Sequence, residues 1–321
     1  MTPTPSGFTI LASAGQVPAK VVTNDDLAAR MDTSDEWIRQ RTGIHTRHIA
    51  GDDESTSTLC TTVAQQLLHQ AGIGADQLSY IVVATMSPDY ATPATAAQVQ
   101  GAIGAANAVA FDISAACSGF VYGLHLMQRL LAGPDVRYGL VLGGETLSRL
   151  VDWTDRSTAV LFGDGAGGVL LSNQGSGQYL GRDLRTLGDQ GAYLTARALH
   201  GQAPSDAFLH MNGRKIYTFA VRAVPRSLQA AVDQAGLSLD QVDHFLLHQA
   251  NARIITQVAK ELDQPLDKFP MNIAAVGNTA AASEPLLLAE TIADGQIQRG
   301  EVLALCGFGG GLTVGTVVLR Y

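Results

Sequence analysis

Basic charge is what this 321-residue chain is short of: 21 Lys and Arg stand against 29 Asp and Glu, for a net charge of −8. No overall positive field exists to hold nucleic acid or an anionic membrane, so any anionic partner must find a local basic patch. Cysteine is scarce too. Cys60, Cys117 and Cys306 are odd in number, widely spaced and without a CxxC pair, which excludes a disulfide framework and a zinc knuckle and leaves a thiol free for chemistry. There is no apolar run of the length that a signal peptide or membrane span needs, so a cytoplasmic location is expected. The eight His form no HExxH, neither GxxxxGK[ST] nor GxSxG occurs, and no metal site is expected. Gly163, Gly165 and Gly168 match GxGxxG in letters, but they run into GVLLS, which reads as a strand, where a dinucleotide fingerprint must open a helix. A hairpin turn is expected there instead. With 16% charged and 46% hydrophobic residues, the chain buries too much apolar surface to be disordered or a coiled coil.

What is present is a repeat. AGIGADQLSYIVVAT at 71–85 resembles AGLSLDQVDHFLLHQ at 235–249, with Ala71, Gly72, Asp76 and Gln77 recurring as Ala235, Gly236, Asp240 and Gln241. Each copy reads as a helix end, a Gly cap, a short turn and a buried strand. RYGLVLGGE at 137–145 and RGEVLALCG at 299–307 repeat at a similar spacing. Helical patterns such as TSTLCTTVAQQLLHQAG, CSGFVYGLHLMQRLLAG, NARIITQVAKELD and SEPLLLAETIADG alternate with these strands, so the fold class is α/β. Two duplicated halves are expected, residues 1–173 and 174–321, with SNQGSGQY at 172–179 as the joint and two sheets packed about a pseudo-twofold axis in αβαβα layers.

In open α/β sheets chemistry collects at the C-terminal ends of strands. In the first half AVAFDIS ends just before Cys117, which opens an amphipathic helix. There the helix N-terminus favours a thiolate, the form that attacks carbonyl carbon. Cys117 as nucleophile and Cys117 as core filler both remain open from position alone. Cys60, on an apolar helical face, reads as filler. In the second half VDHFLL ends at His248, a hydrogen-bond donor, general base or structural imidazole. Further on, VGNTAAAS places Asn278 in a small-residue loop before a helix, where small residues allow close backbone approach to a ligand.

FDISAACSGF, LLHQANARII, VGNTAAAS, FGDGAG, TSDEWIRQRTGIHTRHIA and FGGG, in this order of halves and along nearly the whole chain, resemble the β-ketoacyl-acyl-carrier-protein synthase III branch of the thiolase superfamily. The resemblance implies a thiolase-like fold and a condensing enzyme. It would load an acyl group from acyl-CoA onto Cys117 and condense it with malonyl-acyl carrier protein, releasing carbon dioxide, with no cofactor. It implies an oxyanion site at the backbone N–H groups of Cys117 and Gly310, and His248 and Asn278 as donors to the malonyl thioester oxygen. It implies a CoA site of Trp37, Arg41 and Arg156, with Thr33 and Asn251 nearby, and a carrier-docking face at Arg253 and Lys260. Residues 211–260 hold six basic residues, Arg214, Lys215, Arg222, Arg226, Arg253 and Lys260, against three acidic ones, which suits an acidic carrier protein. It also implies a homodimer in which Thr92 closes the neighbouring subunit's acyl pocket. A small residue there leaves room beyond acetyl. Ala280 and Glu284 depart from the family pattern, in which the Asn is usually followed by Ser and an apolar residue. A specialised acyltransferase using the same three residues, or an inactive acyl-CoA-binding paralogue, are the alternatives.

Overall fold

In the computed structural model, which describes residues 7–133, 135–197 and 207–321, the repeated sequences become two sheets of one strand order. The first sheet holds β1 (Thr9–Gln16), β2 (Leu78–Ala84), β3 (Val109–Ile113), β4 (Tyr138–Glu145) and β5 (Gly165–Ser172), arranged β1-β5-β4-β2-β3. The second holds β6 (Gln178–Thr186), β7 (His244–Leu247), β8 (Val302–Gly309) and β9 (Thr313–Arg320), arranged β7-β8-β9-β6. β2 and β4 are parallel, and β5 runs antiparallel to β4 and β1. Likewise β7 and β8 are parallel, and β9 runs antiparallel to β8 and β6. The two orders therefore align β2 with β7 and β4 with β8, the pairing that the repeated sequences predict. β3 has no counterpart in the second sheet. Where it would lie, the chain makes short helical turns at Leu266–Lys268 and Ile273–Val276, and Asn278 forms an isolated bridge to Phe162.

Seven helices matter to the layers: α1 (Asp35–Thr42), α2 (Thr56–Ala71), α3 (Thr95–Ile103), α4 (Gly119–Leu130), α5 (Gly213–Gln234), α6 (Ala252–Glu261) and α7 (Ser283–Ala293). α2 shows how the sequence sets them. Ser55 caps its start and exchanges hydrogen bonds with Thr58, Leu59, Val63 and Leu67 make one buried stripe, and Gly72 ends it in the left-handed conformation at φ +64°. α4 and α7 form the middle layer. Phe120, Val121, Leu124 and Met127 of α4 and Leu287 and Leu288 of α7 share one core with Val82, Val141 and Val169 of the first sheet and Leu246, Leu305 and Val317 of the second. Because both sheets press on this layer, removing one such side chain, as in Leu124→Ala, is expected to cost about 2–5 kcal/mol. α2 and α3 cover the outer face of the first sheet, and α5 and α6 cover that of the second.

The glycines of FGDGAG take a different place from the one expected. Gly163 precedes β5, while Gly165 and Gly168 lie inside it, and β4 reaches β5 through a long excursion over residues 146–164 rather than a tight hairpin. A Cβ at Gly143 of β4 would lie 2.0 Å from Ala281 O, so the absent side chain lets the turn that leads into α7 rest directly on the first sheet. That contact brings the end of the second repeat's Asn loop over the first repeat's strand ends. Among the described residues no helix is long and apolar enough to cross a membrane.

Candidate active site

β3 ends at Ile113, and the chain makes one 3₁₀ turn, Ala116–Ser118, before α4 begins. Cys117 thus sits ahead of the helix rather than in its first turn. Ala116 beside it has φ +45°, a left-handed conformation that costs a non-glycine residue on the order of 1 kcal/mol. The sulfur faces the end of β8, where a Cβ at Gly309 would lie 2.9 Å from Cys117 Sγ. Burial, then the carboxyl groups of Glu284 and Glu145, push the Cys117 thiol well above its ordinary value, while the backbone N–H groups of Cys117 and Gly310 pull the other way. Against the expected stabilisation of a thiolate, the desolvation of the buried sulfur outweighs the two N–H dipoles.

His248 follows β7 and is 1% exposed. Burial pulls its imidazole down from 6.5 to about 3, so the ring is neutral. Nδ1 is enclosed without a partner, which leaves Nε2 as the nitrogen available to the cavity. Phe308 stands edge-on to the ring at 5.2 Å between centroids, and the His248 N–H donates to Cys306 O at 2.9 Å. Asn278 is fixed at three points. Its N–H donates to Leu161 O, its carbonyl accepts from Gly163 N and its side-chain Oδ1 accepts from Ala280 N, each at 2.9 Å. With Oδ1 occupied, Nδ2 is the free end, a donor. Several supports lie within the sequence motifs but had no role assigned to them from the sequence. Gln249 Oε1 accepts from the backbone of Asn272 and Ile273 at 3.2 and 3.3 Å, tying the His248 turn to the Asn278 loop. Fully buried Arg47 donates to Val160 O at 2.9 Å, next to the Leu161 that holds Asn278, and burial pulls its guanidinium down to about 10.

A cavity of about 510 Å³ gathers Cys117, His248 and Asn278 with Phe308 and Gly309 at a buried end, and exposed Arg41, Arg214 and Arg253 at the other. Asn251 also lines it, but its carboxamide is engaged locally. Oδ1 caps α6 through Arg253 N, and Nδ2 donates to Arg41 O, both at 2.9 Å. Trp37 does not line the cavity; it carries Arg41 at 4.8 Å and Arg156 at 5.6 Å from its ring centroid, so these three form one cluster. Arg156 also donates to Asp32 O and Oδ2. Thr33 lies beside that cluster in sequence, with Oγ1 buried and unpartnered. Lys260 is exposed on α6, outside the cavity.

On the other side of the Cys117 turn, a second cavity of about 880 Å³ is lined by Ala115, Ala116 and Gly310 together with Met86, Tyr90 and Phe111. Thr92 is exposed in the same loop as Tyr90 but does not line this space within one chain. Glu145, fully buried at the end of β4, accepts from the hydroxyls of Thr85 and Ser87 and from Met86 N and holds this loop; burial raises its carboxyl to about 7. Cys60 and Cys306 are buried thiols. Among the described residues no group of three or more His, Cys, Asp or Glu side chains is placed to hold a metal ion.

A pair of sheets of this order, built on a duplicated α/β unit and carrying Cys, His and Asn around one cavity, is the thiolase-like architecture of condensing enzymes. Residues 111–188 match the 3-oxoacyl-[acyl-carrier-protein] synthase III family and residues 232–321 its C-terminal part. The chain is 58% identical to the β-ketoacyl-[acyl-carrier-protein] synthase III of Levilactobacillus brevis and 55% identical to that of Lactobacillus helveticus, each comparison covering 98% of both chains. The crystal structure of 3-oxoacyl-[acyl-carrier-protein] synthase III from Aquifex aeolicus, at 39% identity, matches 98% of this chain and 100% of its own with a TM-score of 0.93. The chain belongs to the 3-oxoacyl-[acyl-carrier-protein] synthase III family and is an acyltransferase.

Proposed function

We propose that this protein initiates fatty-acid synthesis by condensing an acyl-CoA primer with malonyl-acyl carrier protein through an acyl-cysteine. The observation that carries the reading is the meeting of Cys117, His248 and Asn278 at the buried end of one cavity. Cys117 Sγ attacks the acyl-CoA thioester as the thiolate, and the proton it gives up ends on the departing CoA sulfur, so no proton is lost or gained overall. The N–H groups of Cys117 and Gly310 hold the oxyanion. Malonyl thioester then replaces CoA. His248 Nε2 and Asn278 Nδ2 donate to its carbonyl oxygen, carbon dioxide leaves, and the enolate carbon attacks the acyl-cysteine carbonyl, returning the sulfur. A neutral imidazole is the right form for this donor, because an imidazolium would hand its proton to the enolate rather than stabilise it.

Trp37, Arg41 and Arg156 form the nucleotide end of the acyl-CoA site, with Thr33 and Asn251 shaping its wall. The carrier docks on the exposed face of Arg253 and Lys260. A groove of about 350 Å³ supports this partner: Arg185, Lys215, Arg222 and Arg226 rim an apolar floor of Tyr193 and Phe219. Among the described residues, Lys215, Arg222 and Arg226 have no ion-pair partner. A second copy joins along β3, an edge strand where Val109 is 55% exposed, and its Thr92 enters the larger cavity and leaves room for primers longer than acetyl. We take residues 1–173 as the half that supplies the thiol and 174–321 as the half that supplies the two donors, in a cytoplasmic enzyme that uses no cofactor. Intact mass after exposure to a panel of acyl-CoAs, followed by malonyl-carrier protein and measurement of carbon dioxide, tests the reading. An acyl adduct that is absent from Cys117→Ala and discharged by malonyl-carrier protein is expected. An adduct on another residue, or release of the acyl group without condensation, would sink it.

A further inference from the structure

Glu284 is a carboxyl group in a place that gives a carboxyl nothing. It is the second residue of α7, has no exposure, and neither Oε1 nor Oε2 has a hydrogen-bond partner. A residue of the same bulk without charge would fill the site at less cost. Its surroundings are the segments that hold the reacting groups. A Cβ at Gly307 of β8 would lie 2.7 Å from Glu284 Oε1, 2.8 Å from Cys117 O and 2.6 Å from Ser118 Cα. The carboxyl therefore borders the same side-chain-free space as the backbone of the Cys117 turn. The Asn278 loop enters α7 immediately before Glu284, and β8 continues two residues past Gly307 to Gly309, which touches the sulfur.

The elements packed on α7 are β1, β4, β5, β7, β8 and the turn Ala280–Ala282. β1, β5 and that turn carry no ionisable side chain. β7 carries His244, which pairs with Glu301 at 3.4 Å, and runs on to neutral His248. β8 contributes Cys306, β4 contributes Tyr138 and Glu145, and the adjoining turn contributes Cys117. None of these supplies a cation to hold a carboxylate, and burial raises the Glu284 carboxyl well above the usual carboxylate range.

We infer that Glu284 is a positioning residue for Cys117: its side chain fills the space bordered by Gly307 and braces the Cys117–Ser118 turn against β8. The inference rests on Cys117 as the acylated residue. An absent side chain would let the turn relax into the space.

Single-turnover acylation of Cys117, read by intact mass from about pH 6 to about pH 10 with circular dichroism at each pH, tests it on the full chain, Glu284→Gln and Glu284→Ala. Glu284→Gln, which keeps the bulk of the side chain, is expected to load like the parent, and Glu284→Ala to load roughly tenfold more slowly throughout. Parent-like loading by Glu284→Ala, or loading by Glu284→Gln as slow as that of Glu284→Ala, would overturn the inference. Alkylation of Cys117 by iodoacetamide gives the same comparison without acyl-CoA, so a failure of the proposed reaction and a failure of this role read differently. Should Glu284→Ala not fold, Glu284→Asp, which shortens the side chain, takes its place: slowed alkylation supports the role, and a parent-like rate counts against it.

Discussion

His248 ties acid stability to the proposed chemistry. Its ring is held at about 3 by burial, against about 6.5 for an exposed imidazole. A group of this kind takes up its proton on unfolding, so acid favours the unfolded chain. The folded state bears no penalty above about pH 6.5, and the penalty grows as pH falls towards 3. At pH 5 the unfolded imidazole is protonated and the folded one is not, a difference of about 1.5 pH units or about 2 kcal/mol. In His248→Asn no ring titrates, so its free energy of urea unfolding is expected to fall by about 2 kcal/mol less than the parent's between about pH 7.5 and pH 5. Other acid-sensitive groups, among them His125 held at about 4, are common to both chains and cancel in the difference. Equal losses within about 0.5 kcal/mol would mean that His248 is solvated or paired in solution and would remove the argument for a neutral donor.

Asn278→Ala is expected to load acyl groups within a few-fold of the parent while malonyl decarboxylation falls by about 10²–10³, since one preorganised donor is lost; equal loss in both half-reactions would contradict the donor role. Gly309→Ala places a methyl 2.9 Å from Cys117 Sγ and must displace the sulfur, so acyl loading is expected to slow about 100-fold with the fold intact by circular dichroism. Unchanged loading would show the sulfur has room the geometry denies. Lys260→Glu, outside the cavity, is expected to raise KM for malonyl-carrier protein roughly tenfold and leave that for acyl-CoA unchanged, with the effect shrinking in high salt. Equal effects on both substrates would count against the docking face.

The fold was legible because its signal is local and doubled. The repeated Gly cap, Asp turn and apolar run mark β2 and β7 in each half, and the observed orders of the two sheets align those strands. The lack of a partner for β3 was not legible, since a strand's absence shows only as a stretch of small residues around Asn278. The same holds at the site. Cys117, His248 and Asn278 stand at strand ends or in small-residue loops, where their chemistry can be read locally, whereas Phe308, Gln249 and Arg47 lie in the same motifs but act through contacts with residues distant in the chain, which no motif reveals.

The sequence by itself determined the class of the fold and singled out Cys117, His248 and Asn278 as the candidates for chemistry, because periodicity, capping and motif are properties of neighbours along the chain. Only the tertiary structure decided their protonation. Cys117 reads in sequence as a sulfur favoured as thiolate at a helix start, whereas in the packed molecule burial, then the carboxyl groups of Glu284 and Glu145, push its thiol up against the pull of two backbone N–H groups. Desolvation is a sum over everything that surrounds an atom, and no stretch of sequence contains that sum.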